Sequence, residues 1–222
     1  MLAAAKGVAM DSLQFVYFAD PMCSWCWGFA PVIEQIAARY GEAIPVRLVL
    51  GGLRPGTTEP MPAKARETLC GHWREVEEAS GQPFDYGLVD REGFIYDTDP
   101  AARATVMVRR AHPDKALAFL GRAQRAFYAE GLDVTSPAVL ADLAAEFGLE
   151  REGFAERLAS EEIKQETWGD YAISQRAGVT GFPTLVAGPG EDGTYGAVTR
   201  GFQPGEVILP MINRWLASVR AA

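Results

Sequence analysis

The clearest chemical signal in this 222-residue chain is a pair of cysteines, Cys23 and Cys26, separated by two residues. An apolar, aromatic run at residues 13–19 precedes the pair and favours a β-strand. Residues 29–40 follow it with apolar side chains at helical spacing. Because a strand, a tight turn and a helix start surround the two cysteines, the pair indicates thiol–disulfide redox chemistry.

The spacing of the two cysteines suits the formation and cleavage of a disulfide. One helical turn contains about 3.6 residues, so positions three apart lie on the same helix face and their sulfurs can approach each other. Cys23 lies at the predicted helix N-terminus, where free N–H groups and the helix dipole stabilise an anion, and is therefore predicted to be the thiolate nucleophile. Cys26, one turn inside the helix, is predicted to be shielded and to resolve the mixed disulfide.

A pair of this kind also forms half of many zinc sites, which need four ligands and usually take a second pair of Cys or His. The rest of the chain contains one further cysteine, Cys70, and two scattered histidines, His72 and His112. This ligand count favours redox chemistry, and we predict no metal site. Cys70 is interpreted as an inert, partly buried thiol, with a regulatory or relay role as the alternative.

A second motif lies at residues 178–185, where the dipeptide Phe182-Pro183 directly precedes a short apolar strand. Together with the Cys-Ser-Trp-Cys motif at residues 23–26, it resembles the thioredoxin superfamily and, more narrowly, the DsbA-like oxidoreductases, including their bacterial protein-disulfide isomerase branch. The resemblance covers nearly the whole chain. It implies an α/β fold, thioredoxin-like with a large all-helical insert, and thiol–disulfide oxidoreductase or isomerase activity.

Three residues are expected to contact the substrate. By resemblance, Pro183 should be cis and face the cysteines, and the backbone of Phe182 should pair with an incoming substrate strand. Trp25 lies between the cysteines, where a side chain is usually exposed, so we favour substrate contact over simple core packing. With Phe182 and Phe202 it is predicted to form an apolar collar around the sulfur. No cofactor is expected beyond the redox-active disulfide, with glutathione left open.

One departure from the related proteins concerns the proton of the second thiol. Thioredoxin and DsbA carry a buried acid in the first strand, six residues before the nucleophile, that assists proton transfer from this thiol. Tyr17 occupies that position here. Asp20 is close in the sequence, but the sequence does not show that it replaces the missing acid. A water molecule is the alternative acceptor of the Cys26 proton.

The composition excludes several classes of function. The chain is 48% hydrophobic with a net charge of −8, and no run approaches the length of a membrane span. The negative charge disfavours nucleic acid and anionic membranes, so the expected partners are disulfide-containing proteins or peptides, with glutathione as a small-thiol candidate. Residues 1–11 lack the features of a secretory signal, so we expect a cytoplasmic protein whose cysteine pair rests largely reduced.

The remaining pattern predicts a thioredoxin-like domain that is divided by the helical insert. Residues 11–60 hold its first half, residues 61–166 the insert and residues 167–222 its second half. The elements expected to position the site are strands at 13–19 and 44–50, a helix at 24–40, an antiparallel hairpin at 184–187 and 197–199, and a final helix at 204–219.

A different class of enzyme shares this fold. Glutathione-dependent isomerases and transferases, such as the chromene-carboxylate isomerases and the kappa class, use the thiol of glutathione and carry a serine at the first cysteine position. Cys26 argues against this alternative, because such enzymes do not need a second cysteine. A third hypothesis is a non-catalytic, chaperone-like binder whose peptide binding survives the loss of both cysteines.

Overall fold

A mixed β-sheet forms the centre of the molecule. The computed structural model describes residues 13–190 and 193–221, with the backbone alone described for residues 218–221. The strands are β1 (Gln14–Ala19), β2 (Val46–Leu50), β3 (Thr184–Gly188) and β4 (Gly196–Arg200). Their spatial order is β2-β1-β3-β4, with β1 parallel to β2 and antiparallel to β3, and with β3 antiparallel to β4.

Helices follow the predicted order along the chain. They are α1 (Ser24–Tyr40), α2 (Ala63–Ser80), α3 (Gly87–Asp90), α4 (Asp99–Ala111), α5 (Ala116–Tyr128), α6 (Pro137–Ala145), α7 (Phe154–Ala159), α8 (Glu161–Arg176) and α9 (Gly205–Ala221). This order confirms the predicted thioredoxin-like fold with a large helical segment between its two halves. In the part of the chain that the structure describes, no helix combines the length and apolarity needed to cross a membrane.

The division of the chain into 11–60, 61–166 and 167–222 stays a prediction. Helix α8 runs without interruption through residue 166, so the predicted end of the insert falls inside a helix. Residues 11 and 12 lie outside the described part of the chain.

Strand β1 is central because both of its faces are apolar. Phe15 and Tyr17 point into the main core, which α1 and α9 share. Val16 and Phe18 point to the opposite face and form a smaller cluster, against which Ile173 of α8 packs. A strand that is covered on both faces reads as a continuous apolar run, which explains why β1 could be found from sequence.

An aromatic cluster joins the helical segment to the start of α1. The ring centroid of Trp73 in α2 lies 5.0 Å from that of Tyr128 and 5.7 Å from that of Phe127, both in α5. Trp27 of α1 stacks parallel to Tyr128 at 6.4 Å and donates a hydrogen bond from its indole N–H to the carbonyl of Pro83. Aromatic pairs of this geometry add to the stabilisation from burial. The helical segment therefore fixes the helix that carries both cysteines.

Two charged side chains close the outer edge of β2. The carboxylate of Asp170 in α8 accepts a hydrogen bond from the Leu50 N–H at 3.0 Å. The guanidinium of Arg109 in α4 donates to the carbonyl of Leu48 at 3.2 Å and to Asp170 at 2.5 Å. Because these groups satisfy backbone atoms of the edge strand, they attach α4 and α8 to the sheet.

Removing the carboxylate of Asp170 should destabilise the protein strongly. Asp170→Ala leaves the partly buried Arg109 without its closest counter-charge and the Leu50 N–H without a partner. We expect a loss of about 3 kcal/mol in the free energy of unfolding, measured by urea denaturation. Glu162→Ala is the control, because Glu162 lies on α8 like Asp170 but forms only an exposed ion pair, with Arg110 of α4. Equal effects of the two substitutions would contradict the role assigned to Asp170.

Candidate active site

The chain places Cys23 at the N-cap of α1, directly before its first residue, Ser24. After β1 it makes a tight turn, in which the Cys23 N–H donates a hydrogen bond to the carbonyl of Asp20 at 3.1 Å. Cys23 has an extended backbone and caps the helix, and its carbonyl accepts the Trp27 N–H at 3.1 Å. The first turn of α1 contains no acidic residue. The Cys23 sulfur therefore lies near unpaired helix N–H groups, which favour a negative charge.

The two motifs meet although they lie far apart in sequence. The Phe182-Pro183 peptide bond is cis, as the resemblance implied, and the Cys23 thiol donates a hydrogen bond to the carbonyl of Phe182 at 3.5 Å. The register of the sheet explains this contact, because Phe18 near the end of β1 lies opposite Thr184 at the start of β3. The turn before β3 is thereby brought to the end of β1, where Cys23 follows.

Cys26 is fully buried one turn into α1. The two cysteines are not joined in a disulfide in this structure. Burial raises the pKa of the Cys26 thiol well above its usual value, and the adjacent Cys23 side chain raises it further. Cys26 thus has the shielded environment predicted for a resolving thiol, and its ionisation is costly.

Asp20 is a buried carboxyl group beneath the cysteine turn. Its side chain accepts hydrogen bonds from the N–H groups of Met22 at 2.9 Å and Leu53 at 2.8 Å. Burial raises the pKa of Asp20 to about 6, although these two hydrogen bonds act in the opposite direction. The carboxyl group therefore fastens the turn before Cys23 to the loop that follows β2.

Sequence reasoning missed a second layer of polar groups under the turn. The Tyr96 hydroxyl donates to the carbonyl of Met22 at 2.6 Å and lies 3.1 Å from the Tyr128 hydroxyl. The side-chain amide of Gln124 donates to the carbonyl of Asp20 at 3.4 Å. These three side chains come from the helical segment, and neither hydrophobic periodicity nor a local motif distinguishes them from ordinary core residues.

The predicted apolar collar is only partly present. Trp25 is half-buried and packs against Phe202, with ring centroids 5.6 Å apart. The ring of Phe182 lies over Gly51 instead, so closely that a Cβ at Gly51 would come within 2.1 Å of it. Phe182 therefore presents its carbonyl to Cys23, while its ring packs against the loop after β2.

The other residues considered for metal binding lie elsewhere. Cys70 and His72 are on α2, and His112 follows α4. Within residues 13–190 and 193–221, no three His, Cys, Asp or Glu side chains are grouped so that they could hold a metal ion.

Comparisons with known proteins point to one fold family. The family model described as a DSBA-like thioredoxin domain matches residues 14–203. A candidate protein disulfide isomerase from Nitrosomonas europaea is 38% identical, with a TM-score of 0.84 over 93% of this chain and 98% of that one. The cytosolic disulfide reductase DsbM from Pseudomonas aeruginosa is 28% identical, with a TM-score of 0.73 over 94% of this chain and 100% of that one. A second structure of DsbM contains GSH and is similar to this chain with a TM-score of 0.71.

A curated relative is more distant. SpxH from Halalkalibacterium halodurans, described as a ClpXP adapter protein, is 25% identical over 78% of this chain. The matched region is 58% of the length of that protein, so this chain corresponds to only part of it. The adapter role is a property of that longer relative.

The pKa of Asp20 predicts how stability depends on pH. Its folded value of about 6 lies above the value of about 4 for an unfolded chain, so the folded state binds the proton more tightly. The contribution of this proton to stability is fully present below pH ~4 and is lost as pH rises through ~6, by on the order of 2 to 3 kcal/mol.

Urea unfolding between pH 4 and 8 measures this effect as the difference in stability between the wild type and Asp20→Asn. As pH rises through this range, the free energy of unfolding of the wild type should decrease relative to that of Asp20→Asn. Asp85→Asn is the control, because Asp85 also accepts a backbone N–H, from Gly87, but is exposed. A difference that stays constant with pH for Asp20→Asn would exclude a buried carboxyl group that titrates.

Proposed function

This chain belongs to the family of DSBA-like thioredoxin domains, and we propose that it is a thiol–disulfide oxidoreductase or isomerase that uses the Cys-Ser-Trp-Cys motif. One observation carries the proposal: the Cys23 sulfur lies at the N-terminus of α1, 3.5 Å from the Phe182 carbonyl of the cis-proline turn. At this position a substrate disulfide would meet the Cys23 nucleophile, and the substrate chain could form hydrogen bonds with the backbone of the cis-proline turn. Cys26, one turn away and fully buried, is the natural resolving thiol.

The proposed reaction has two exchange steps. The Cys23 thiolate attacks one sulfur of the substrate disulfide, a Cys23–substrate disulfide forms, and the other substrate sulfur leaves as a thiolate that takes up a proton. Cys26 then attacks the Cys23 sulfur and releases the second substrate sulfur as a thiol. The substrate gains two electrons and two protons, and the protein is left with a Cys23–Cys26 disulfide. A thiol reductant such as glutathione regenerates the pair, and the reverse sequence makes a disulfide.

Extended segments of protein or peptide are the proposed substrates. The Phe182 backbone next to the sulfur is suited to pair with an extended strand, and the half-buried rings of Trp25 and Phe202 offer an apolar contact beside it. We place the protein in the cytoplasm, where disulfide reduction is the favoured direction. The similarity to DsbM, a cytosolic disulfide reductase, supports this direction.

Substituting each cysteine tests the proposal. Cys23→Ser should abolish the reduction of insulin disulfides, because it removes the nucleophile. Cys26→Ser should keep the first step and accumulate a mixed disulfide, seen by intact-protein mass spectrometry without reductant. Cys70→Ser is the control and should retain the wild-type rate, since Cys70 lies on α2, outside the site described. Insulin reduction by Cys23→Ser at the wild-type rate would refute the assigned nucleophile.

A glutathione-dependent isomerase or transferase is the second candidate, and the DsbM structure with GSH is the observation that favours it. In such an enzyme the glutathione sulfur reacts, so the protein should bind glutathione without its own thiols. We expect the double variant Cys23→Ser, Cys26→Ser to bind reduced glutathione only weakly, with Kd above about 1 mM by calorimetry, which is the upper limit of typical substrate affinities. Micromolar affinity would favour the transferase.

The third candidate function is peptide binding without catalysis, for which the distant similarity to the SpxH adapter is the supporting observation. The same double variant distinguishes it from the two enzymatic candidates. Its peptide binding would be independent of the cysteines. If an unfolded, cysteine-free peptide bound equally well to the wild type and to the double variant, and the wild type reduced no disulfide, binding rather than exchange would be the function.

A further inference from the structure

A cavity of about 650 Å³ lies on the face of the sheet opposite to the core that α1 and α9 share. Neither Cys23 nor Cys26 lines it, so it is distinct from the candidate active site. We infer that this cavity binds a small anion with an apolar chain, such as a medium-chain carboxylate. The chain lies along the sheet, and Arg47 and Arg200 attract the carboxylate.

The floor of the cavity is an apolar row that crosses three strands. Val16 of β1 is paired with Val186 of β3, and Val186 is paired with Ala197 of β4, so the three side chains lie side by side. Ile173 of α8 packs against the cluster that contains Val16. Towards β4 this cover is lost, because Val186 is only half-buried and Ala197 is exposed. An apolar chain that covers this row would remove it from water, which is favourable.

The dimensions of the cavity suit a small molecule. Ligand pockets typically enclose about 300 to 1,000 Å³, and they are mainly apolar with a few polar groups that orient the ligand. Gln14 and Tyr195 supply two such groups and are joined by a hydrogen bond of 2.6 Å from the Gln14 amide to the Tyr195 hydroxyl. Because Gln14 is the first residue of β1, this pair forms the rim at the start of that strand.

The charges around the cavity favour an anion. Acidic residues outnumber basic ones by 29 to 21 in the whole chain, yet the described residues that line the cavity include two arginines and no Asp or Glu. Arg47 lies on β2 and Arg200 on β4, the two edge strands, so the arginines flank the apolar row from opposite sides.

Both arginines are available to a ligand. Their side chains are exposed, and neither forms an ion pair with another residue that the structure describes. A guanidinium group binds a carboxylate through paired N–H donors. A ligand with a negative head group therefore complements these cations, while its chain complements the floor.

Phe182 separates the cavity from the two sulfurs. It lines the cavity and packs against the cluster of Val16, Phe18 and Val49, while its carbonyl meets the Cys23 thiol at 3.5 Å. The ligand thus lies behind the cis-proline turn, on the side away from Cys23. Its binding should not require either thiol, so the inference does not rest on disulfide exchange.

Calorimetry with octanoate and the neutral octanamide separates the head group from the chain. We expect the wild type to bind octanoate with Kd of about 0.1 mM and octanamide more weakly. Affinity should rise by about fourfold for each methylene between hexanoate and octanoate, because each methylene is removed from water.

Removing the two cations tests the head-group site. In the double variant Arg47→Gln, Arg200→Gln we expect octanoate to bind about tenfold more weakly and octanamide to bind as in the wild type. Arg39→Gln, Arg214→Gln is the matched control, since it removes two exposed arginines of α1 and α9, which pack on the other face of the sheet. Equal weakening by both double variants would overturn the inference, because the effect would then come from net charge.

Filling the cavity tests the chain site while both arginines are kept. Ala197→Phe places a ring over the apolar row at an exposed position, so it should abolish octanoate binding without unfolding the protein. Amide NMR shifts on adding octanoate should be confined to residues 179–181, Val186 and their neighbours. The same shifts are expected in Cys23→Ser, Cys26→Ser, so a failure of disulfide exchange and a failure of this inference can be told apart.

Three outcomes would refute the binding site. The first is the absence of octanoate binding or equal affinity for hexanoate and octanoate. The second is binding to anionic phospholipid vesicles without binding of free octanoate, which would assign this face to a membrane. The third is a wild-type dimer that Ala197→Phe converts to a monomer, which would make a second copy of the chain the occupant.

Discussion

The pairing of β1 with β3 is the constraint on which the site depends. β1 ends where Cys23 begins α1, and β3 starts after the cis-proline turn, so antiparallel pairing brings two motifs together that are separated by 159 residues. A shift of this register would move the Phe182 carbonyl away from the sulfur and reverse the faces of β3. The continuous apolar run of β1, which is buried on both faces, therefore holds the candidate site together as well as the core.

Burial and neutral hydroxyl groups, more than ion pairs, set the environment of the two sulfurs. Tyr17, Tyr96 and Tyr128 are buried hydroxyl groups around the cysteine turn, and burial raises the pKa of each. Asp20 shares this environment, and its carboxyl group is held by backbone N–H groups. The helical segment supplies Tyr96 and Tyr128, which means that the insert contributes to the electrostatics of the site and does more than cover the sheet.

The sequence was sufficient for the elements with strong local signals. The cysteine pair, the Phe182-Pro183 turn and the bounds of α1 could be predicted, because motif spacing and helical periodicity are local properties. The orientation of the Phe182 ring could not, since it depends on the absence of a side chain at Gly51, far away in the sequence. The same holds for Asp20 and Tyr96, because each is hydrogen-bonded to the backbone of a distant segment, at Leu53 and Met22 respectively. A second cis bond, Gly188-Pro189, carried no signal that set it apart from the other prolines.

The charged pair at the outer edge of β2 also affects whether this strand can pair with a strand of another molecule. Arg109 and Asp170 already form hydrogen bonds with the Leu48 carbonyl and the Leu50 N–H. These two backbone groups of β2 are therefore not free to pair with a strand from another molecule. Among the strands described, β4 is the remaining edge at which intermolecular sheet extension could begin. Self-association through β-strands, whether ordered or amyloid-like, is thereby confined to the side of the molecule formed by the C-terminal hairpin.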